Sequence, residues 1–383
     1  MPRLLVSCGE PSGDLYAADL VRHLRGRTAA PPDVFGLGGE RLEAEGARLI
    51  AHVRDLAVVG LWEVVSHLPR FRRIFRDLLA EVDRERPDLA VLVDYPDFNL
   101  RVARALHRRR IPVVYYVSPQ VWAWRPRRLR AIRDHVAHMI VIFPFEAKVY
   151  EDAGVPVTFV GHPLVDLVAP ERDRNGFLAQ SGLDPARPVV ALLPGSRRKE
   201  IAHNLPPLAG AVRLLAQRRA DLQFLAAVGP SIDPHTLRAG LPPNVALVQG
   251  RTHAALSAAN VAVVASGTAT VEAALLGTPM VVVYRLSALT YHLGRRFVKV
   301  PHVAMANLIA QKGIVPELIQ DAFTPERVAD AVLPLLGPAG DAMREALAEV
   351  RRRLGAPGAS GRAAEVVTGV LTGQKSVDSR GLP

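Results

Sequence analysis

The sequence predicts an α/β protein of two doubly wound domains, and three observations carry that prediction. Short β-branched runs alternate with amphipathic helical segments along most of the chain. Two strand-to-helix turns in the second half, Pro194-Gly195-Ser196-Arg197 and Ser266-Gly267-Thr268-Ala269, are built mainly of small residues at the carboxyl ends of such runs. At 383 residues the chain also exceeds one ordinary core, and a polar stretch at 168–176 suits a linker.

Composition narrows the class. Hydrophobic residues at 49% and charged residues at 22% make a globular balance. A single cysteine excludes an internal disulfide and fits a reducing compartment; at the end of the first apolar run, Cys8 reads as a small buried hydrophobe. No signal-peptide pattern precedes the first strand and no apolar run is long enough to span a bilayer, so a cytoplasmic location is expected. The formal charge of +11 calls for an anionic partner: nucleic acid, a membrane surface or a phosphorylated substrate. Helix-turn-helix, RRM and zinc-finger spacings are missing, but charge alone does not choose among the three.

Taken in order, residues 2–8 read as a strand, 9–13 as a glycine-rich turn and 14–25 as a helix with Leu15, Ala18, Leu20, Val21 and Leu24 on its apolar face. In that turn Glu10 points toward whatever fills the cleft, or the turn is only a turn. A second strand over 33–39 and a helix over 40–45 follow. The stretch 56–79 interleaves Leu61, Trp62, Val65, Leu68, Phe71, Ile74, Phe75 and Leu78 with Arg70, Arg72, Arg73 and Arg76. Such a segment either lies in a membrane interface or packs its stripe on the sheet as an ordinary domain helix.

The next strand, 86–94, ends in a carboxylate. Ligands of open α/β sheets collect beyond the carboxyl ends of strands, so Asp94 and Asp97 face the expected cleft, where Asp94, which directly terminates the strand, can serve as general base toward an attacking hydroxyl. Asp97 and Asn99 read as caps of a helix starting near Phe98, with a D-x-x-D metal site as the alternative. A strand over 111–117 leads into a loop carrying Trp122, Trp124 and Arg125, suited to a sugar ring, an acyl path and a phosphate, or in the case of Arg125 to solvent. The strand over 139–143 is expected to be the last of this half. His162, in Gly161-His162-Pro163, is either a phosphate contact or a structural turn residue.

The second half alternates strands at 189–193, 222–227, 245–248, 260–264 and 280–283 with helices. Arg197, Arg198 and Lys199 begin a helix, where the dipole repels cations unless something negative is held there; Arg197 thus reads as a phosphate ligand, a solvated charge run being the alternative. At the other turn the amides of Gly267, Thr268 and Ala269 open a helix and suit a pyrophosphate, with Glu272 one turn in for a ribose. Capping of a core helix by Ser266 and Thr268 is the alternative. Helices near 325–335 and 341–354 and a last helix to about 373 follow, then a polar tail over 374–383 expected to be disordered.

Several of these motifs carry a resemblance. Leu-Leu-Pro194-Gly195-Ser196-Arg197-Arg198-Lys199-Glu200 and the run from Ala265 to Arg285 are similar to the nucleotide-binding half of the lipid-A-disaccharide synthase family. The likeness continues in Gly9-Glu10-Pro11-Ser12-Gly13-Asp14, Asp94-Tyr95-Pro96-Asp97-Phe98-Asn99, the segment 116–125, Gly161-His162-Pro163 and Asn307-Leu308-Ile309, in the family's order. It implies a GT-B glycosyltransferase: two Rossmann-like domains facing across a cleft, residues 1–166 for the acceptor and membrane, 167–355 for the UDP-sugar, and a helix at 356–373 packing back on the first domain. The reaction implied is transfer of 2,3-diacylglucosamine from its UDP donor to 2,3-diacylglucosamine 1-phosphate, without cofactor or metal. Asp94 is then the base, and Glu10, at the border of the sugar site, the second candidate catalytic residue. Ser196, Arg197, Ser266, Gly267, Thr268, Ala269, Thr270, Glu272 and Asn307 are the UDP contacts, and Trp62, Phe71, Trp122, Trp124 and Arg125 the acceptor or acyl contacts. An anionic inner-membrane surface and a homodimer are the implied partners, nucleic acid is not, and peripheral attachment to the cytoplasmic face of the inner membrane is the implied location. The chain departs from the family at Met305-Ala306, where Leu-Pro is usual, at Gln311-Lys312, where Gly-Arg is frequent, and at Pro11. The rival readings are a UDP-N-acetylglucosamine 2-epimerase-like isomerase and a non-catalytic basic peripheral membrane or nucleic-acid-binding protein.

Overall fold

The computed structural model describes residues 1–27, 30–56, 61–119, 127–229, 232–285 and 302–373, with the side chains of 61–68 and 127 outside that description. The chain forms two compact units, one of Met1–Pro163 with Gly355–Pro383 and one of Leu164–Leu354.

In the first unit β1 (Arg3–Cys8), β2 (Asp33–Gly38), β3 (Arg48–His52), β4 (Leu89–Val93), β5 (Val113–Tyr116), β6 (His138–Val141) and β7 (Val157–Phe159) make one parallel sheet ordered β3-β2-β1-β4-β5-β6-β7. Every residue of β4, β5 and β6 is buried, as a parallel sheet covered on both faces requires. Strand order reverses between β1 and β4, and at such a switch point the two crossovers leave on opposite faces and open a crevice at the carboxyl edge.

The helix Leu61–Glu85 supplies one cover for this sheet. Ile74, Leu78 and Val82, four residues apart, are buried in the core with Leu5, Phe35, Leu92 and Tyr115, each contributing roughly 1.5–3 kcal/mol of apolar burial. Phe71 and Phe75 pack partly against the same core, while Arg72, Arg73 and Arg76 are exposed. Beyond Gly355 the helix Ala359–Leu371 packs on the helix Pro11–Arg27 through buried Ala359, Ala363, Ala364 and Val367, and Arg362 Nε donates to the carbonyl of Val160 at 2.8 Å.

The second unit has β8 (Val189–Leu193), β9 (Gln223–Val228), β10 (Val245–Gln249), β11 (Val261–Ala265), β12 (Met280–Tyr284) and β13 (Glu317–Ile319), again all parallel, ordered β10-β9-β8-β11-β12-β13. Its switch point lies between β8 and β11. The two small-residue turns recognised in the sequence leave from these two strands.

Several boundaries differ from expectation. The strand at 139–143 does not end the first sheet, because β7 follows it; β3 and β13 are likewise additions. All three are edge strands, and neither β7 nor β13 has a buried residue, so none presents the continuous apolar run that marks an interior strand. The first helix starts at Pro11 rather than Asp14, and the helix after β4, Pro96–Arg108, at Pro96 rather than Phe98, since proline already has a helical φ at a first position where no N–H is needed. The helix expected over 341–354 is Pro338–Arg353 for the same reason. Among the described residues no helix is long and apolar enough to cross a membrane.

Candidate active site

In the first unit the carboxyl ends of β1, β4 and β5 meet around Asp94. Asp94 (φ 47°) and Tyr95 (φ 51°) are consecutive non-glycine residues in the left-handed region, which costs roughly 1–2 kcal/mol each. The neighbouring Val117 (φ 66°), β-branched and at the end of β5, shares that conformation. Backbone held so at a sheet edge is over-determined by its surroundings. The Asp94 amide donates to Tyr116 O (2.9 Å), and the Asp94 carbonyl accepts from Asn99 Nδ2 (2.8 Å) and Tyr115 Oη (2.6 Å). Asn99 Nδ2 also reaches the carbonyls of Ser7 (3.1 Å) and Val93 (3.2 Å), and its Oδ1 accepts from Ser7 Oγ (2.8 Å).

Asp97 and Asn99 are therefore not helix caps. The cap position is Tyr95, with no side-chain cap bond; Asn99 is fully buried and turned back into the sheet, and exposed Asp97 pairs with Arg128. The carbonyls of Ser7, Val93 and Asp94 lie inside the fold here, and the Asn99 amide donates to all three, which overrides its capping preference.

Tyr95 ties this turn to the loop after β1. A Cβ on Gly9 would lie 2.3 Å from Tyr95 Cγ and Cδ1, so only glycine lets the ring lie there, and Tyr95 Oη donates to Leu56 O at 3.2 Å. Burial, and then the charges of Glu10 and Asp97, push the Tyr95 phenol up, and Glu10 directly follows the glycine that this ring covers. The next carboxylate of that loop does a different task. Asp14 is buried and accepts from the amides of Gly39 (2.6 Å), Arg41 (3.2 Å) and Leu42 (3.2 Å), clamping the start of the helix Glu40–Ala44. Cys8 is buried as expected, its thiol pushed far up by desolvation and by Asp14.

His162 is buried between the rings of Tyr16 (centroids 6.0 Å apart) and Phe143 (5.2 Å), and desolvation drives it down to about 3. It is neutral near pH 7, which fits the structural reading and not a cationic phosphate contact.

In the second unit β8 ends at Leu193, and Gly195 takes φ 132°. The Ser196 amide donates to Glu200 Oε2 at 2.9 Å, and Arg197 occupies the cap position of the helix Arg198–Arg218. Ser196, Arg197, Arg198 and Lys199 are exposed. A carboxylate of the protein's own chain thus stands in the first turn of this helix, bonded to the Ser196 amide. Burial, and then the Glu200 charge, raise the Tyr284 phenol at the end of β12, and the Arg197 charge opposes them.

The second turn follows β11. Gly267, φ 145°, is the cap of the helix Thr268–Leu275, and no side-chain cap bond is made there. Capping by Ser266 and Thr268 is thereby excluded: Ser266 Oγ donates to Val303 O (3.4 Å), and buried Thr270 Oγ1 to Gly267 O (2.7 Å). Gly267 and Thr268 are exposed, as an anion site made of backbone amides requires. Glu272 is half-buried, with His253 Nε2 3.7 Å from its Oε1, a neighbour without a sequence signal.

Asn307 is placed otherwise than expected. Its Nδ2 donates to Val315 O (2.9 Å) and Glu317 Oε1 (2.7 Å), and its Oδ1 accepts from the amides of Ile314 (2.8 Å) and Val315 (2.9 Å). All four bonds an asparagine amide can make are used inside the protein, so it supports the turn and does not face a ligand. Glu317 in turn accepts from the amides of Val303 (2.9 Å) and Ala304 (3.1 Å), and Val303 receives the Ser266 hydroxyl. The side chain of Trp62, and Trp122, Trp124 and Arg125, lie outside the described residues, as does the tail at 374–383.

A family model described as lipid-A-disaccharide synthetase matches residues 4–355. The chain belongs to that family. Among lipid-A-disaccharide synthases, that of Koribacter versatilis is 46% identical over 361 residues, covering 92% of this chain and 94% of that relative. Those of Solibacter usitatus (45%, 98% and 99% covered) and Myxococcus xanthus (44%, 97% and 98%) are similar over nearly their full lengths. The lipid-A-disaccharide synthase family is one of glycosyltransferases, so the chain is an enzyme of that class in lipid A synthesis. Its fold is shared more widely. A UDP-GlcNAc 2-epimerase from Neisseria meningitidis bound to UDP-GlcNAc superposes with a TM-score of 0.67 at 14% identity, covering 96% of this chain and all of that one. An S. aureus MnaA-UDP structure gives 0.69 at 13%, covering 97% of each, and the glycotransferase of kitacinnamycin 0.65 at 20%, covering 96% and 98%. At such identities the likeness shows the two Rossmann-like domains of the GT-B fold and nothing of the reaction.

Proposed function

We propose that the chain transfers 2,3-diacylglucosamine from its UDP donor to the 6-hydroxyl of 2,3-diacylglucosamine 1-phosphate. The observation that carries this is the family match over residues 4–355, with the matching motifs at the switch points of both sheets. In this reading the Asp94 carboxylate takes the proton of the acceptor hydroxyl, whose oxygen bonds to the donor's anomeric carbon as the bond to the diphosphate breaks. Glu10, on the adjoining loop, lines the same sugar site. Arg197 and Ser196, with the amides of the Ser266–Thr270 turn, hold the diphosphate and stabilise the charge that builds on it. Glu272 accepts from the ribose hydroxyls, and Asn307 acts indirectly, through Glu317 and Val303.

The acyl chains call for a surface that meets lipid. Phe71 among exposed Arg72, Arg73 and Arg76 suits an anionic headgroup layer, and attachment to the cytoplasmic face of the inner membrane is the location this implies. A transfer assay with the two acylated glucosamines tests the proposal: formation of the disaccharide 1-phosphate with stoichiometric UDP release supports it, while epimerisation of UDP-N-acetylglucosamine without transfer refutes it.

A further inference from the structure

We infer that Tyr115 is a positioning residue that aims the Asp94 carboxylate through the backbone carbonyl of Asp94. The inference rests on the general-base reading of Asp94 above. Two left-handed non-glycine residues in succession each carry the steric cost of a Cβ, and glycine, which adopts that conformation freely, would be the ordinary solution. Here the conformation falls on Asp94 and Tyr95 and is held by donors from two directions. Tyr115 Oη reaches Asp94 O at 2.6 Å from the adjacent strand β5, and Asn99 Nδ2 reaches it at 2.8 Å from the helix Pro96–Arg108. Each donor is itself fixed: Tyr115 has no exposed surface in the core, and Asn99 is locked to Ser7 of β1 by two bonds. Three neighbouring strands thus locate one oxygen, and with it the Cα–Cβ direction of Asp94. Burial and the Asp94 charge both push the Tyr115 phenol well up, so it remains a donor throughout the working pH range.

Asn99 also satisfies the carbonyls of Ser7 and Val93, so its removal threatens the sheet itself. Tyr115→Phe removes one hydroxyl and leaves the ring in place, which makes it the cleaner test. The expected result is a fall in kcat of roughly tenfold or more, the scale of a small misplacement of a reacting group, with KM for both substrates, UDP affinity and secondary structure unchanged. In an Asp94→Asn background the same change should leave the residual rate where it was. Wild-type kcat in Tyr115→Phe overturns the inference, as does an equal loss with and without Asp94. If Asp94→Asn alone transfers at the wild-type rate, the general-base reading fails first and takes this inference with it.

Discussion

The Ser196 amide donates to the Glu200 carboxylate at 2.9 Å, so the anion standing at the first turn of the helix Arg198–Arg218 belongs to the protein itself. A diphosphate held by Arg197 and Ser196 would meet that charge. Glu200→Gln keeps an acceptor for the amide and removes the repulsion, so UDP should bind about twofold to fivefold tighter, the range of an exposed charge pair, with the gain shrinking in high salt. Arg197→Ala should act oppositely, weakening UDP binding and lowering kcat by about 10²–10³-fold, the scale for loss of one donor to a developing anion. Calorimetric titration with UDP and initial rates check both.

Asn307 spends its whole amide inside the fold. Asn307→Ala should therefore destabilise the protein by roughly 2–4 kcal/mol, because it leaves the Val315 carbonyl and two amides without their partner. UDP affinity measured well below the lowered melting temperature should stay near that of the parent. A large loss of UDP affinity with unchanged stability would mark Asn307 as a ligand contact instead.

Gln311 caps the end of the helix Met305–Ala310 in the left-handed conformation (φ 57°), and it is exposed. A glycine there is free of the Cβ clash. Gln311→Gly should raise stability by about 1 kcal/mol, read as a higher melting temperature, without altering turnover.

His162 gives the stability a pH dependence of known sign. Its folded pKa is lowered to about 3 by burial, while the unfolded side chain titrates near 6.5. Between those values the unfolded state binds a proton the folded state refuses, so stability is complete above about 6.5 and falls as the pH drops toward 3, by up to roughly 1.4 kcal/mol per pH unit. His138, also lowered by burial, adds in the same direction. Chemical denaturation from pH 7.5 to 4.5 should show a shallower decline in His162→Phe than in the parent.

What the sequence disclosed follows from where each residue lies. β4, β8 and β11 are buried throughout and therefore appear as unbroken apolar runs, and the turns after β8 and β11 appear as small residues between two periodicities. The edge strand Arg48-Leu49-Ile50-Ala51-His52 carries a charged residue at one end and a histidine at the other, and no residue of it is buried, so it gives no interior-strand signal. The inward roles of Asp14, Asn99 and Asn307 are hidden in the sequence for a common reason. A polar residue in a sequence signals a surface or a cap, whereas each of these reaches inward to backbone groups, in one case 92 residues away. Only the folded geometry of the Asp94–Tyr95 turn shows why a buried amide is needed there.

The central claim is that Asp94 primes the acceptor hydroxyl while the second unit's turns hold the nucleotide. Single-turnover transfer by Asp94→Asn, with UDP affinity measured on the same preparation, tests it most directly. The account predicts a chemical step slowed by about 10²–10⁴-fold, the range for loss of a general base, at unchanged UDP affinity. Transfer at the parent rate would contradict it.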